Sequence, residues 1–281
     1  MAITPEHEEK THLAAPATVE DDTEADAELS HHLCLLTLSG TELLSEPHTV
    51  EEAMKSEYWP YWKAAMDREM GQFKKLEVYE LRDIPADRKP IGCKWVFRLK
   101  RDENGNVREF KARLVAKGFA QIPGMDFLET FAPVIRMDSI RVLLAVAAKR
   151  DMELEQMDVV GAYLNGKLEE EIWMEQPEGY NNGTGRGMYM LGAIYGLKQA
   201  GRVWNIKLND ALLSLGFTRL HSDPCVYIRR TKDDRLAIVG VHVDDMALLT
   251  DSHEDMKKLK DELNAKFDLK DEGPMRHFLG L

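Results

Sequence analysis

Residues 236–250, LAIVGVHVDDMALLT, place two adjacent aspartates inside a run that otherwise suits a protein interior. Side chains alternate faces along a strand, so Ala237, Val239, Val241 and Val243 share one face and Leu236, Ile238 and His242 the other. Both faces are largely apolar, which is the pattern of a strand covered on both sides. Burying an isolated carboxylate costs several kcal/mol unless a cation or donor compensates it. Asp244 and Asp245 therefore need an explanation. Two stay open on these residues alone: a hairpin turn with Met246–Leu249 as the returning strand, or a rigid presentation of carboxylates to a metal ion. The first does not exclude the second.

The chain of 281 residues can bury a sizeable core. No apolar run approaches the roughly 20 residues of a membrane span. The cysteines, Cys34, Cys93 and Cys225, are far apart and form no metal-type pair, which points to a reduced, intracellular protein with cytoplasm or nucleus left open. Net charge is −12, but residues 1–58 hold 14 acids against 2 bases and account for all of it. Residues 88–117, with 10 bases and 3 acids, are the most basic stretch. A polyanionic partner is thus compatible with an acidic chain.

Residues 1–48 are acidic, lack an apolar period, and are expected to be disordered, with HLCLLTLSG their one apolar patch. Order is expected from about residue 49. Trp62, Ala65, Met66, Met70, Phe73 and Leu76 recur at helical spacing, with Pro60 near the start. Residues 92–119 alternate as two strands about an Asn104–Gly105 turn. Trp95, Phe97, Leu99, Phe110, Ala112 and Leu114 make a greasy side of this ribbon. Lys94, Arg98, Lys100, Lys111, Arg113 and Lys117 make a basic one. A helix capped by Asp138 leads to a strand ending at Asp158, a turn at GAYLNG and a strand at EIWMEQP. Beyond the NNGTGRG loop lie an apolar run, a helix stopped by Gly216, the strands CVYIRR and RLAIVGVHV, and a helix capped by Ser252. The irregular mixture with antiparallel hairpins is α+β.

In this order, KWVFRLKRDENGNVREFKARLVAKGFAQ, ETFAPVIR, QMDVVGAYLNGKLEEEIWMEQPEGY, YGLKQAGRVWN and VDDM closely resemble the reverse transcriptase of copia-type (Ty1/copia) LTR retrotransposons, over residues 49–281. The resemblance implies a right-hand polymerase, with fingers over about 49–150, a palm over about 151–281, and motif B near 195–216. It implies transfer of a nucleotide to a primer 3′-hydroxyl with two Mg²⁺ ions, or Mn²⁺. Asp158, Asp244 and Asp245 match the catalytic and metal-binding aspartates, Asp245 less directly placed. Tyr163 matches the aromatic under the nucleotide sugar, and Gln199 a position that contacts the incoming nucleotide or the template next to it. Lys111, Arg113 and Lys117 are candidates for the triphosphate, and Lys94, Arg98, Lys100, Lys198 and Arg202 for the nucleic-acid backbone.

The implied partners are an RNA or DNA template with its primer, deoxynucleoside triphosphates, and the remainder of a retrotransposon polyprotein, integrase and RNase H included. No membrane is implied. His242 stands where family members commonly have Tyr, Gly201 where they have Pro, and Glu272 at a usually apolar position. The sequence ends at FLGL, where the family continues into a thumb. A chain with its thumb largely missing is expected either to polymerise or, as the alternative, to be a weak or inactive polyprotein remnant that only binds nucleic acid.

Overall fold

The computed structural model describes residues 44–280 except Glu103 and Lys232. The expectations for residues 1–43, the apolar patch HLCLLTLSG among them, lie outside the described residues. The described residues divide into two units, one with Leu44 and residues of Lys100–Glu109 and one with Ser45–Leu99 and residues 110–280. In the first, Asp102 closes the expected turn, accepting hydrogen bonds from the backbone of Asn104 and Asn106 at 2.9 and 2.8 Å.

The second unit opens with a short helix, α1 (Val50–Lys55), and α2 (Trp59–Lys75). The single helix expected here is two, because the chain breaks just before Pro60, which lacks the donor to continue a helix but suits the first turn of a new one. Trp62 of α2 packs edge-on against Phe97 and Phe110 at 5.2 and 4.7 Å. Those two rings come from the paired strands β2 (Cys93–Arg101) and β3 (Val107–Ala116), which follow the short β1 (Tyr79–Arg82). The greasy side of the ribbon is therefore covered by α2.

Helix α3 (Met137–Arg150) starts two residues earlier than an Asp138 cap would place it, with Arg136 at its N-cap. The cap comes from elsewhere in the chain: Asp223 accepts a hydrogen bond from the Arg136 amide at 3.0 Å. Next come β4 (Glu153–Val159), β5 (Lys167–Met174), β6 (Gly187–Gly192) and α4 (Ala200–Ser214). The strands β7 (Thr218–Arg219), β8 (Val226–Arg230), β9 (Leu236–His242) and β10 (Asp245–Thr250) precede α5 (His253–Asn264) and β11 (Leu269–Pro274). Six strands form one sheet in the order β11-β4-β10-β9-β8-β7, and β1-β6-β5 form another.

The six-stranded sheet is covered on both faces, as its apolar runs require. Met157, Val159, Val239, Val241, Met246 and Leu248 pack with Leu208 and Leu212 of α4 and Leu259 and Leu263 of α5. On the other face Ile238, Ala247 and Leu249 meet Ile140, Leu143 and Ala147 of α3. Buried Glu155, on the α5 face of β4, is matched by the ammonium of Lys260. Among the described residues no helix is long and apolar enough to cross a membrane.

Two glycines let the end of β3 touch the segment before α4. A Cβ on Gly118 would strike the carbonyl of Gly196, and one on Gly196 the carbonyl of Ala116. The Ala116 amide donates to the Tyr195 carbonyl at 2.8 Å across this crossing. Gly118→Ala should cost about 2 kcal/mol or more in chemical denaturation, because backbone and not a side-chain tip must give way. Gly71→Ala, at an open position on α2, should instead gain about 0.5–1 kcal/mol. Equal effects at the two positions would refute the close crossing.

Candidate active site

The register of β4 and β10 sets Asp245 directly opposite Asp158. Directly opposed residues in an antiparallel pair share a face, with Cβ atoms roughly 5 Å apart. The row extends to both sides, since Lys270 of β11 lies opposite Asp158 and His242 of β9 opposite Asp245. Four chemically active side chains thus line one face across four strands. Lys270 also pairs with Glu272 at 2.6 Å.

Asp244 sits in the two-residue loop between β9 and β10, the hairpin turn that the apolar runs foreshadowed. Val243, the first loop residue, has φ of 59°. A positive φ there and not at the second residue is the pattern of a type II′ turn, where glycine is usual. A β-branched residue in that conformation carries strain on the order of 1–3 kcal/mol and persists only where its surroundings hold it. They do so here. The Val159 amide donates to the Asp244 carbonyl at 3.0 Å, and the indole Nε1 of Trp204 donates to the Val243 carbonyl at 2.7 Å.

Burial first, and then the neighbouring charge of Asp244, raise the Asp245 carboxyl above the usual aspartate range; Glu272 adds to the effect. A hydrogen bond from Gln156 at 3.3 Å opposes it. Among the described residues no three His, Cys, Asp or Glu side chains converge as a ready metal cage. Mg²⁺ needs no such cage, because it is usually held by one or two carboxylates, with water and substrate phosphates completing the shell. Carboxylates from β4, the turn and β10 supply the hard oxygen donors such an ion takes, and their mutual repulsion is what a divalent cation would relieve.

Tyr163 lies in a 3₁₀ turn, Ala162–Asn165, which follows β4. Its ring meets that of Tyr195 edge-on at 4.7 Å, and the Arg113 guanidinium lies over Tyr195 at 4.7 Å. Burial and then the charge of Asp244 raise the Tyr163 hydroxyl, and burial pushes that of Tyr195 up to about 12. Arg113, Tyr195, Tyr163 and Asp244 are therefore one electrostatic neighbourhood, joining the basic ribbon to the aspartate turn.

A family profile described as "Reverse transcriptase (RNA-dependent DNA polymerase)" matches residues 76–281. The chain belongs to this reverse transcriptase family. It is 41% identical over 238 residues to the Retrovirus-related Pol polyprotein from transposon TNT 1-94 of Nicotiana tabacum, covering 84% of this chain and 18% of that protein. It is 36% identical over 241 residues to the Pol polyprotein from transposon RE1 of Arabidopsis thaliana, covering 84% and 16%. The Transposon Ty1-BL Gag-Pol polyprotein of Saccharomyces cerevisiae is 27% identical over 215 residues, covering 73% and 12%. This reverse transcriptase domain, of copia type, thus spans under a fifth of the length of each of these three relatives.

Other residues singled out in the reverse transcriptase sequence are placed differently. Gln199 is 1% exposed; its amide donates to the Asp126 carbonyl at 2.7 Å and accepts from Gln121 at 3.0 Å, holding the 121–127 loop. Lys117 extends beside Gly92 and Glu175, and Lys94 is exposed on β2. Arg98 pairs with Glu46, Lys100 with Glu109 at 3.2 Å, and Arg202 with Glu129 at 2.7 Å. Lys198 is exposed, about 6.0 Å from the Phe127 ring. Lys111 and Arg113 both lie near the partly buried carboxyl of Glu69. The basic face is thus partly matched by acids that a charge count along the strand does not reveal. Sequence reasoning also passed over Tyr195, Lys270 and Trp204. Tyr195 and Trp204 stand inside the quoted YGLKQAGRVWN, where an aromatic reads as ordinary core, and Lys270 stands in a stretch too polar to suggest a strand.

The raised carboxyl of Asp245 has a consequence for stability. A raised folded value favours folding through the protonated form, so that contribution is complete below the ordinary aspartate value of about 3.9 and is lost as pH rises through the folded one. Asp245→Asn should therefore melt at a higher temperature than the parent at pH 7, by a margin that shrinks as pH falls toward about 4. A margin that does not change with pH in thermal melts would contradict the assignment.

Proposed function

We propose that this chain is an RNA-directed DNA polymerase domain of a copia-type retrotransposon, adding deoxynucleotides to a primer on an RNA or DNA template. The observation that carries the reading is the direct opposition of Asp158 and Asp245 beside the turn that holds Asp244. In this reading residues 49–150 are the fingers and 151–281 the palm, with motif B near 195–216. The rest of a Pol polyprotein, with RNase H and integrase, would accompany it.

Asp158 and Asp244 would hold two Mg²⁺ ions, with Asp245 beside them. The chemistry such ions would supply there is a lowered pKa for the attacking primer hydroxyl and neutralisation of the charge on the leaving pyrophosphate. Arg113 and Lys111 would bind the triphosphate, where cations offset the charge that builds during transfer. The Arg113 guanidinium lies over the Tyr195 ring, whose hydroxyl also feels the charge of Asp244. Tyr163 would pack under the sugar and reject a 2′-hydroxyl, with the edge of Tyr195 fixing the tilt of its ring. Lys117 would join Lys111 and Arg113 at the triphosphate, and Lys94 and Lys198 would bind the template–primer backbone without reading sequence. Arg98, Lys100 and Arg202 would do so by exchanging their acid partners for phosphates.

Primer extension on poly(rA)/oligo(dT) with Mg²⁺ tests this. The parent should extend, and Asp244→Asn should reduce extension by about 100-fold or more. Extension that survives the substitution would refute the site. Absence of extension from both, with filter binding of the template–primer retained, would instead match a chain that binds nucleic acid without elongating it. On the same template Tyr163→Ala should raise ribonucleotide incorporation relative to deoxynucleotide by about tenfold. An unchanged ratio would remove the gate.

A further inference from the structure

The strained turn that carries Asp244 is held at one point by a side chain far away in sequence, and that contact has no equivalent in the polymerase reading above. Trp204 stands on the buried face of α4, 2% exposed, with its ring edge-on to Phe267 at 5.2 Å. Its Nε1 donates to the Val243 carbonyl at 2.7 Å. The loop offers two carbonyls: the Asp244 carbonyl accepts from the backbone of β4, and the Val243 carbonyl accepts from the indole.

Packing leaves space beside the loop. A cavity of about 130 Å³ borders Val241, Val243, Tyr163, Trp204 and Leu208, leaving space into which Val243 could relax from its positive φ. A hydrogen bond donated by a buried indole is directional, and losing it leaves the donor unsatisfied, so it can select one of two turn conformations. We propose that Trp204 is a positioning residue: its indole N–H holds the Val243–Asp244 turn in the conformation that presents the Asp244 carboxylate beside Asp158. The functional half of this inference rests on the polymerase reading; the mechanical half does not.

Trp204→Phe tests it, because phenylalanine keeps a ring against Phe267 and removes the donor. By amide hydrogen exchange, residues 243–245 should open at least about tenfold faster in the variant while β8 stays unchanged. In the parent itself, the Trp204 indole proton should exchange slowly. In primer extension kcat should fall about tenfold with the KM for deoxynucleotide changed less than about twofold, the mark of a group that acts on the reacting geometry and not on nucleotide affinity. In a Val243→Gly background, where the positive φ carries no strain, Trp204→Phe should cost markedly less, and that coupling would not arise if the indole merely filled space.

Parent-like exchange at 243–245 in Trp204→Phe, a fast-exchanging indole proton in the parent, or a cost independent of residue 243 would each overturn the proposal. If the parent fails to extend primers but exchange behaves as expected, the polymerase reading falls while the role of Trp204 in holding the turn stands.

Discussion

The antiparallel pairing of β4 with β10 is the constraint on which the rest of the structure depends. A strand has a side-chain period of two, so a slip of one residue moves every side chain to the opposite face. In the observed register Met157 and Val159 of β4 and Met246 and Leu248 of β10 enter the core against α4 and α5. The same register leaves Asp158 facing Asp245 on the other side. Core packing and the carboxylate pair are therefore not independent: the apolar residues that make a slip costly are what keep the acids together.

Electrostatics alone would push such a pair apart, and the surroundings show how it is tolerated. Lys270 on one side of Asp158 and His242 on the far side of Asp245 bracket the acids with groups able to carry positive charge. Asp244 is lifted out of the strand by a turn that costs backbone strain, held in place from β4 and from α4. Strain retained next to reactive groups, with supports from two separate elements, is a common property of sites whose geometry matters more than their local stability. The glycine crossing at Gly118 and Gly196 serves the same region from the ribbon side, since it brings Tyr195 under Arg113.

Much of this was legible in the sequence, in proportion to how local the cause was. The β9–β10 hairpin, the Asn104–Gly105 turn and the face of α5 follow from apolar alternation, turn chemistry and helical spacing within a dozen residues. β1 and β11 were not legible, because four residues or a run as polar as LKDEGP give no period to read. The cap of α3 was misassigned to Asp138 for a related reason: its acid, Asp223, is 87 residues away. The convergence of Asp158 with the Asp244–Asp245 pair came only from resemblance to the family, as strand pairing at that separation leaves no local trace. The basic face of the ribbon was legible as charge, whereas the acids that partner Arg98 and Arg202 were not, and Gln199 was read as a ligand contact although its amide is used inside the protein.

The central claim is that acids from β4 and from the β9–β10 turn take hold of the same divalent ions. Anomalous diffraction from crystals grown with Mn²⁺, template–primer and a non-hydrolysable deoxynucleotide measures this directly. The account predicts anomalous peaks at about 2.1 Å from carboxylate oxygens of both Asp158 and Asp244. Manganese held by the nucleotide phosphates alone, with either carboxylate out of reach, would contradict it.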